Sequence, residues 1–381
     1  MDVVFAAIPA YGHLYPLMPL AEATAAAGHR VTVATGSPFC GALSLPTTRV
    51  LEEHVGLSWV EAEARRRHPE AEGRDIGIAI FADITANLTA SGLLEAWEQR
   101  RPDLVVLESG NVGAAVAAHV VGVPAVAVAV GVWGPFGTAS YDAVLGFAAD
   151  HWHRHGVAPP ASGTDLLAGF VDPLPPALGL GAPATVPHVP LRPVGYSHGD
   201  APLPGWLEEP PRRRRVLLTL GTVAYGAVEA MRTALDGLLA LDLEVLVVVG
   251  PDGDPAALGA VPPHVHLERF VPQERVLPLL DLVVHHGGTG NLLGALRHGL
   301  PALVLPQGAD QFVNAARLAE VGAGRALEGD ALTADAVAGA VAAMLPDDSA
   351  ERRRARELES EIATMPAPSE VVAVLEQLAA R

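Results

Sequence analysis

Along the chain, short apolar runs alternate with longer stretches in which apolar residues recur three and four positions apart. Strands buried on both faces and amphipathic helices give that alternation, so the pattern predicts parallel α/β architecture. Residues 2–8 read as a buried strand, followed by a loop holding Pro9, Gly12 and Pro16. A helix over residues 17–27 then closes at Gly28, and residues 30–34 form the next strand. Residues 103–107 and 125–130 read as strands bracketing a helix over Val112–Val121. A second series begins with a strand at residues 216–220 and continues with strands at 245–249, 265–267, Leu282–His285 and 302–305. Helices open near Gly290 and over Gln311–Val321.

Between the two series, residues 157–211 are rich in proline and glycine, with pairs at Pro175-Pro176 and Pro210-Pro211. Proline at this density predicts an extended connection. The arginines at 212–215 that close it read as a solvated charge run. Domains are therefore expected over residues 1–205 and 206–365. After Pro366 and Pro368, the apolar Val371, Val374, Leu375 and Leu378 predict a helix within 366–381 that docks back on the N-terminal domain.

With 381 residues, half of them hydrophobic, the chain has material for two cores. The 25 basic and 43 acidic side chains leave a net charge of −18, which argues against a nucleic-acid or anionic-membrane partner. The single Cys40 fits a reducing cytoplasm. No basic residues precede the first apolar run, unlike a signal peptide. The apolar stretch near residues 123–133 is shorter than the roughly 20 residues that span a bilayer. A cytoplasmic protein without membrane insertion is expected.

The segment DLVVHHGGTGNLLGALRHGLPALVLPQGADQ, residues 281–311, is the richest in chemistry. An apolar strand ends at His285-His286, and Gly287, Gly288 and Gly290 let the backbone turn tightly into a helix. Free N–H groups and the helix dipole make such a point an anion site, and an adjacent histidine can donate to a phosphate. The bland alternative is a glycine-rich turn, which needs neither the histidine nor so many glycines. His13 lies just after the first strand, at the strand carboxyl end where α/β sheets bind ligands. A histidine there can take a proton from an incoming hydroxyl, although by itself it also reads as a surface-loop residue. Asp252 and Asp254, in PDGDP, are turn material rather than metal ligands. Trp133, Phe136, Tyr141, Phe147 and Trp152 cluster after the fifth strand in a chain only 5% aromatic, and fit either an apolar acceptor surface or core packing. Residues 61–75 read as an acceptor loop or a solvated helix.

HHGGTGN followed by PQGADQFVNA resembles the donor signature of family 1 glycosyltransferases, especially actinobacterial enzymes that decorate natural products. PAYGHLYPLMPLAEATAAAGHRVTVAT, LLTLGT and ERFVPQERVLP also match, so the resemblance covers essentially the whole chain. It implies the GT-B fold, two Rossmann-like doubly wound parallel-sheet domains facing across a cleft, with the donor in the C-terminal domain. On this resemblance His286, Gly288, Thr289, Gly290, Asn291 and Thr222 contact the donor diphosphate. Asp310 and Gln311 read the sugar, while Phe270 and Val271 hold the base. Serine or threonine is commoner at the position of Asn291. His13 matches the general base, and Glu108 stands where relatives carry the orienting aspartate. Trp133, Phe136, Tyr141 and Trp152 are the acceptor candidates.

The expected activity is inverting, metal-independent transfer of a sugar, from a dTDP-linked deoxysugar donor, to a hydroxyl of a hydrophobic aglycone. No cofactor beyond the nucleotide-sugar co-substrate is expected. A homodimer and an auxiliary protein both remain compatible with this reading. The alternatives are a sugar-nucleotide 2-epimerase of the same fold and a non-catalytic auxiliary protein.

Overall fold

The apolar runs form parallel strands in two separate sheets. The computed structural model describes residues 1–132, 135–179, 183, 185–197, 202–221, 228–250 and 253–380. The chain divides into a first unit, Met1–His198 with Met365–Arg381, and a second, Gly199–Thr364.

In the first unit the strands are β1 (Asp2–Ala6), β2 (Arg30–Thr35), β3 (Thr47–Arg49), β4 (Leu104–Glu108), β5 (Ala125–Val128), β6 (Gly169–Asp172) and β7 (His188–Pro190). They pair in the order β3-β2-β1-β4-β5-β6-β7, all parallel. Successive side chains of a strand face opposite sides of the sheet. Val105 and Leu107 of β4 accordingly join the core under the helices Ala86–Ala96 and Val112–Val121, while Leu104 and Val106 join the one under Met18–Ala26. The strand order reverses between β1 and β4.

The second unit holds β8 (Arg214–Thr219), β9 (Leu243–Val248), β10 (Val265–Glu268), β11 (Leu282–His285), β12 (Ala302–Val304) and β13 (Gly324–Ala326), in the order β10-β9-β8-β11-β12-β13. All of these pairs are parallel too, and the order reverses between β8 and β11. Both units are therefore Rossmann-like, and each has a topological switch point where such sheets bind ligands.

Several expectations need correction. The proline-rich connection is not merely extended, because it contains β6 and β7. β6 carries no proline, and β7 lies at the sheet edge, where Pro190 leaves no ladder bond unmade. The arginine run is not simply solvated. Arg214 pairs with Asp281 at 2.6 Å and Asp347 at 3.0 Å. Arg215 is buried, donates to the carbonyls of Trp206, Leu207 and Glu209, and packs 5.4 Å from the Trp206 ring centre. Of the two readings of residues 61–75, the helical one holds for most of the segment: Leu57–Arg67 is laced by Glu61–Arg65 and Glu63–Arg67 pairs, and Gly73–Ile78 opens the next helix.

The helical stretch Gly73–Ala96 is long and apolar enough to cross a membrane, but more than half of its apolar 18-residue window is buried within the protein. The final helix, Pro368–Ala379, returns to the first unit. Val371, Leu375 and Leu378 enter its core beside Leu17 and Leu20, and Glu376 lies 3.0 Å from His29. A Cβ at Gly169 would stand 2.6 Å from Leu378 Cδ1, so β6 needs a glycine where this helix closes over it.

Candidate active site

At the first switch point, β1 leads into a helical turn, Tyr11–Leu14, rather than the expected loop. Pro16 and Pro19 follow at early helical positions, where a missing N–H does no harm. The turn carries His13, whose Nδ1 lies 3.1 Å from Glu108 Oε1 at the end of β4. The Glu108 side chain is fully enclosed while His13 keeps a quarter of its surface open. Glu108 Oε2 accepts the Gly110 N–H at 2.6 Å, and a Cβ at Gly110 would stand 3.0 Å from that oxygen. The adjacent strands of the switch point thus bring together one histidine and one carboxylate about 100 residues apart in sequence. With Nδ1 turned to the carboxylate, Nε2 is the ring nitrogen placed to accept a proton. The Phe81 ring lies alongside, its centre 5.9 Å from that of His13 and the planes 29° apart.

The aromatic acceptor candidates fare differently. Tyr141 and Trp152 are buried in the first unit's core, and Trp152 Nε1 donates to Leu145 O at 2.9 Å. They cannot present a ring to a ligand. Burial beside Glu108 pushes the Tyr141 hydroxyl's pKa up. Trp133 and the side chain of Phe136 lie outside the described residues, as do Thr222 and Asp252. Asp254 caps the turn at Pro255–Leu258 by accepting the Ala256 N–H at 3.0 Å. Among the described residues no three His, Cys, Asp or Glu side chains converge in a metal-ligand set.

At the second switch point, β11 ends at His285, which is fully buried and accepts the Gly287 N–H on Nδ1 at 3.0 Å. Burial, with His286 beside it, pushes the His285 pKa down to about 3. Burial pushes His286 down to about 4, so at neutral pH it is an uncharged donor rather than a cation. The His286 ring is flanked by glycines. A Cβ at Gly288 would stand 2.5 Å from Nε2, and one at Gly221, whose φ is +84°, 2.7 Å from Cε1. The helix Thr289–Arg297 opens at Gly288 without a side-chain cap, the kind of helix start whose first amides and dipole suit an anion.

Residues missed from the sequence tie this site together. The buried Asn314 Nδ2 lies 2.8 Å from Gly287 O, 3.2 Å from Thr289 Oγ1 and 3.0 Å from Asp310 Oδ2. Its spacing of four from Asp310 on one helix face was a usable signal. Gln273 Nε2 donates to Asn291 Oδ1, joining the helix start to the segment after β10. In that segment Phe270 is exposed and Val271 buried. Asp310 is exposed, whereas Gln311 is buried, with Oε1 accepting the Gln307 and Gly308 N–H groups at 2.8 and 3.1 Å. That leaves the Gln311 NH2 with donors to offer.

The erythromycin biosynthesis protein CIII-like N-terminal domain matches residues 22–221, and the corresponding C-terminal domain matches residues 232–378. The chain belongs to this family. It is similar to the L-demethylnoviosyl transferase of Streptomyces niveus, at 35% identity over 97% of this chain and 96% of that protein. It is also similar to the 3-alpha-mycarosylerythronolide B desosaminyl transferase of Saccharopolyspora erythraea, at 30% identity over 100% of this chain and 99% of the relative. Among solved structures, the glycosyltransferase VinC in complex with dTDP superimposes with a TM-score of 0.81 and 26% identity, covering 100% of both chains. The fold is thus GT-B, and this family member is a natural-product glycosyltransferase of the actinobacterial type.

Proposed function

We propose that the protein moves a deoxysugar from a dTDP-linked donor to a hydroxyl of a hydrophobic natural-product aglycone in the cytoplasm, with inversion and without a metal. The observation that carries the mechanism is the His13–Glu108 pair at the first switch point, 3.1 Å apart with the carboxylate enclosed. The acceptor hydroxyl gives its proton to His13 Nε2 as its oxygen attacks the anomeric carbon. Glu108 steadies the imidazolium that forms. The C–O bond to the diphosphate breaks on the opposite face of the sugar, and the leaving group stays on the amides of Thr289, Gly290 and Asn291 and the His286 N–H. Asp310 and the Gln311 NH2 read sugar hydroxyls, and Phe270 and Val271 hold the base. The choice of dTDP is supported by the nucleotide in the VinC complex and by the deoxysugars in the relatives' names.

The test is thermal unfolding with dTDP, UDP, GDP and ADP, with and without EDTA. A dTDP-sugar is then incubated with a panel of aglycones and the products are read by mass spectrometry. Stabilisation by dTDP that survives chelation, followed by an acceptor-dependent mass gain, is the expected result. Conversion of the nucleotide sugar to an epimer without an acceptor would replace transfer with epimerisation. No shift with any nucleotide, in folded protein, would remove the donor site.

A further inference from the structure

The helical stretch Gly73–Ala96 does not keep one pitch. Between the α-helices Gly73–Ile78 and Ala86–Ala96, residues Ala79–Thr85 wind as a π-helix. Such a segment forgoes good backbone geometry and recurs at functional sites, because its extra residue turns the following side chains to a new face. Here it separates two roles. Ile78 and Ile80 pack against the core of the first unit, whereas the half-buried Phe81 lies with its ring against His13.

The π segment is held from three directions. Asp83, nearly buried, puts Oδ2 2.7 Å from His68 Nε2, at the end of the helix Leu57–Arg67. Asn87 Nδ2 lies 2.8 Å from Asp83 O and 3.2 Å from Asp83 Oδ1. The same nitrogen lies 3.2 Å from Phe147 O, at the end of the helix Pro135–Phe147. The His68 ring packs edge-on to Phe147 with centres 5.7 Å apart. A helix that only filled the core would need none of these polar ties. Together they fix the register at the one place where it decides what stands beside His13.

We infer that Phe81 is the acceptor-positioning residue of this enzyme: its ring is the apolar wall that holds a flat or ring-bearing aglycone with its hydroxyl at His13 Nε2, and the Asp83–His68–Asn87 lock keeps it there. The inference rests on the reading of His13 as the base. The acceptor wall then comes from the π segment and not from Tyr141 or Trp152, which the core encloses.

The probe is 4-methylumbelliferone, a flat phenol whose binding is read by fluorescence anisotropy and whose glycosylation is read by fluorescence loss. A saturated sterol alcohol serves as the bulky comparison. Phe81→Ala is expected to weaken umbelliferone binding and raise its KM by about threefold to tenfold, the usual worth of an aromatic contact. Donor KM and dTDP affinity stay unchanged. Phe81→Leu should recover the sterol more than the flat phenol. Asp83→Asn should shift acceptor KM in the same direction as Phe81→Ala. Unchanged acceptor binding and unchanged preference in folded Phe81→Ala and Phe81→Leu proteins overturn the inference. So does a wild-type protein that binds neither probe. Binding without any transfer leaves Phe81 in place and sinks only the transferase mechanism.

Discussion

Replacing Glu108 by glutamine tests the proposed mechanism through the placement of a single proton. The side chain is enclosed, with Oε2 holding the Gly110 N–H at 2.6 Å and Oε1 3.1 Å from His13 Nδ1. A carboxylate only accepts, so it selects the Nδ1–H tautomer and leaves the Nε2 lone pair for the incoming hydroxyl. In Glu108→Gln the Gly110 N–H still demands an oxygen, which turns the amide NH2 toward Nδ1. Two donors would then face each other unless the ring adopts the Nε2–H tautomer, and in that form no lone pair points at the acceptor. The charge that steadies the imidazolium is lost as well. Turnover should fall by about 10² to 10⁴, the usual worth of a general base. That corresponds to roughly 3–5 kcal/mol of barrier, as much as His13→Ala. The swap is nearly isosteric and removes a buried charge, so the melting temperature should barely move. Glu108→Asp withdraws the carboxylate by about one C–C bond, roughly 1.5 Å, and its turnover should fall between those of wild type and Glu108→Gln. The assay is single-turnover transfer across pH, with circular dichroism on each variant. A folded Glu108→Gln enzyme at full turnover would refute the tautomer argument.

Other outcomes follow from the second unit. His285 and His286 are held near 3 and 4, below the ordinary value of about 6.5, so the unfolded chain takes up protons first. Their contribution to stability is complete above about pH 6.5 and is lost as pH falls toward 4, at up to roughly 1.4 kcal/mol per pH unit per histidine. Urea midpoints should therefore fall less steeply with acid in His286→Asn, and equal slopes would contradict the assignment. Asn314→Asp aims an oxygen at Gly287 O and at the Asp310 carboxylate, so the buried Gly287 carbonyl loses its donor at about 1–3 kcal/mol. Both the melting temperature and dTDP affinity should drop, and unchanged calorimetric affinity would disprove the link. Gly288→Ala would put a Cβ 2.5 Å from His286 Nε2 and swing the ring away. At least a tenfold loss of dTDP affinity, about 1.4 kcal/mol, is expected in an otherwise stable protein, and tight binding would show the ring can yield.

Much of this architecture is legible in the sequence because strands buried on both faces are apolar throughout. Val112–Val121, Leu282–His285 and Gln311–Val321 have the bounds that their periodicity predicts. β6 and β7 are not legible, because three- and four-residue strands carry little local signal and gain their order from pairing with distant strands. Arg215 reads as one charge among four; only the fold shows the carbonyls of residues 206–209 curling around it. His13 and Glu108 could each be singled out, but their approach depends on strand order. Phe81 left no trace, since apolar spacing does not distinguish an α-turn from a π-turn. Tyr141 and Trp152 show the converse: an aromatic-rich stretch fits a wall or a core equally until burial is known.

The return of Pro368–Ala379 to the first unit makes the second unit, in chain order, an insertion within the first. A ribosome releases Val371, Leu375 and Leu378 after the whole of the second unit, so the core of the first unit stays unfinished until the second has been made. An engineer who grafts the second unit from a relative must therefore cut near residues 198 and 364, not once, and keep the native Pro368–Ala379 helix. A single crossover would give β6 and its Gly169 a foreign helix to fit, and such hybrids would fail in the half that nobody meant to change.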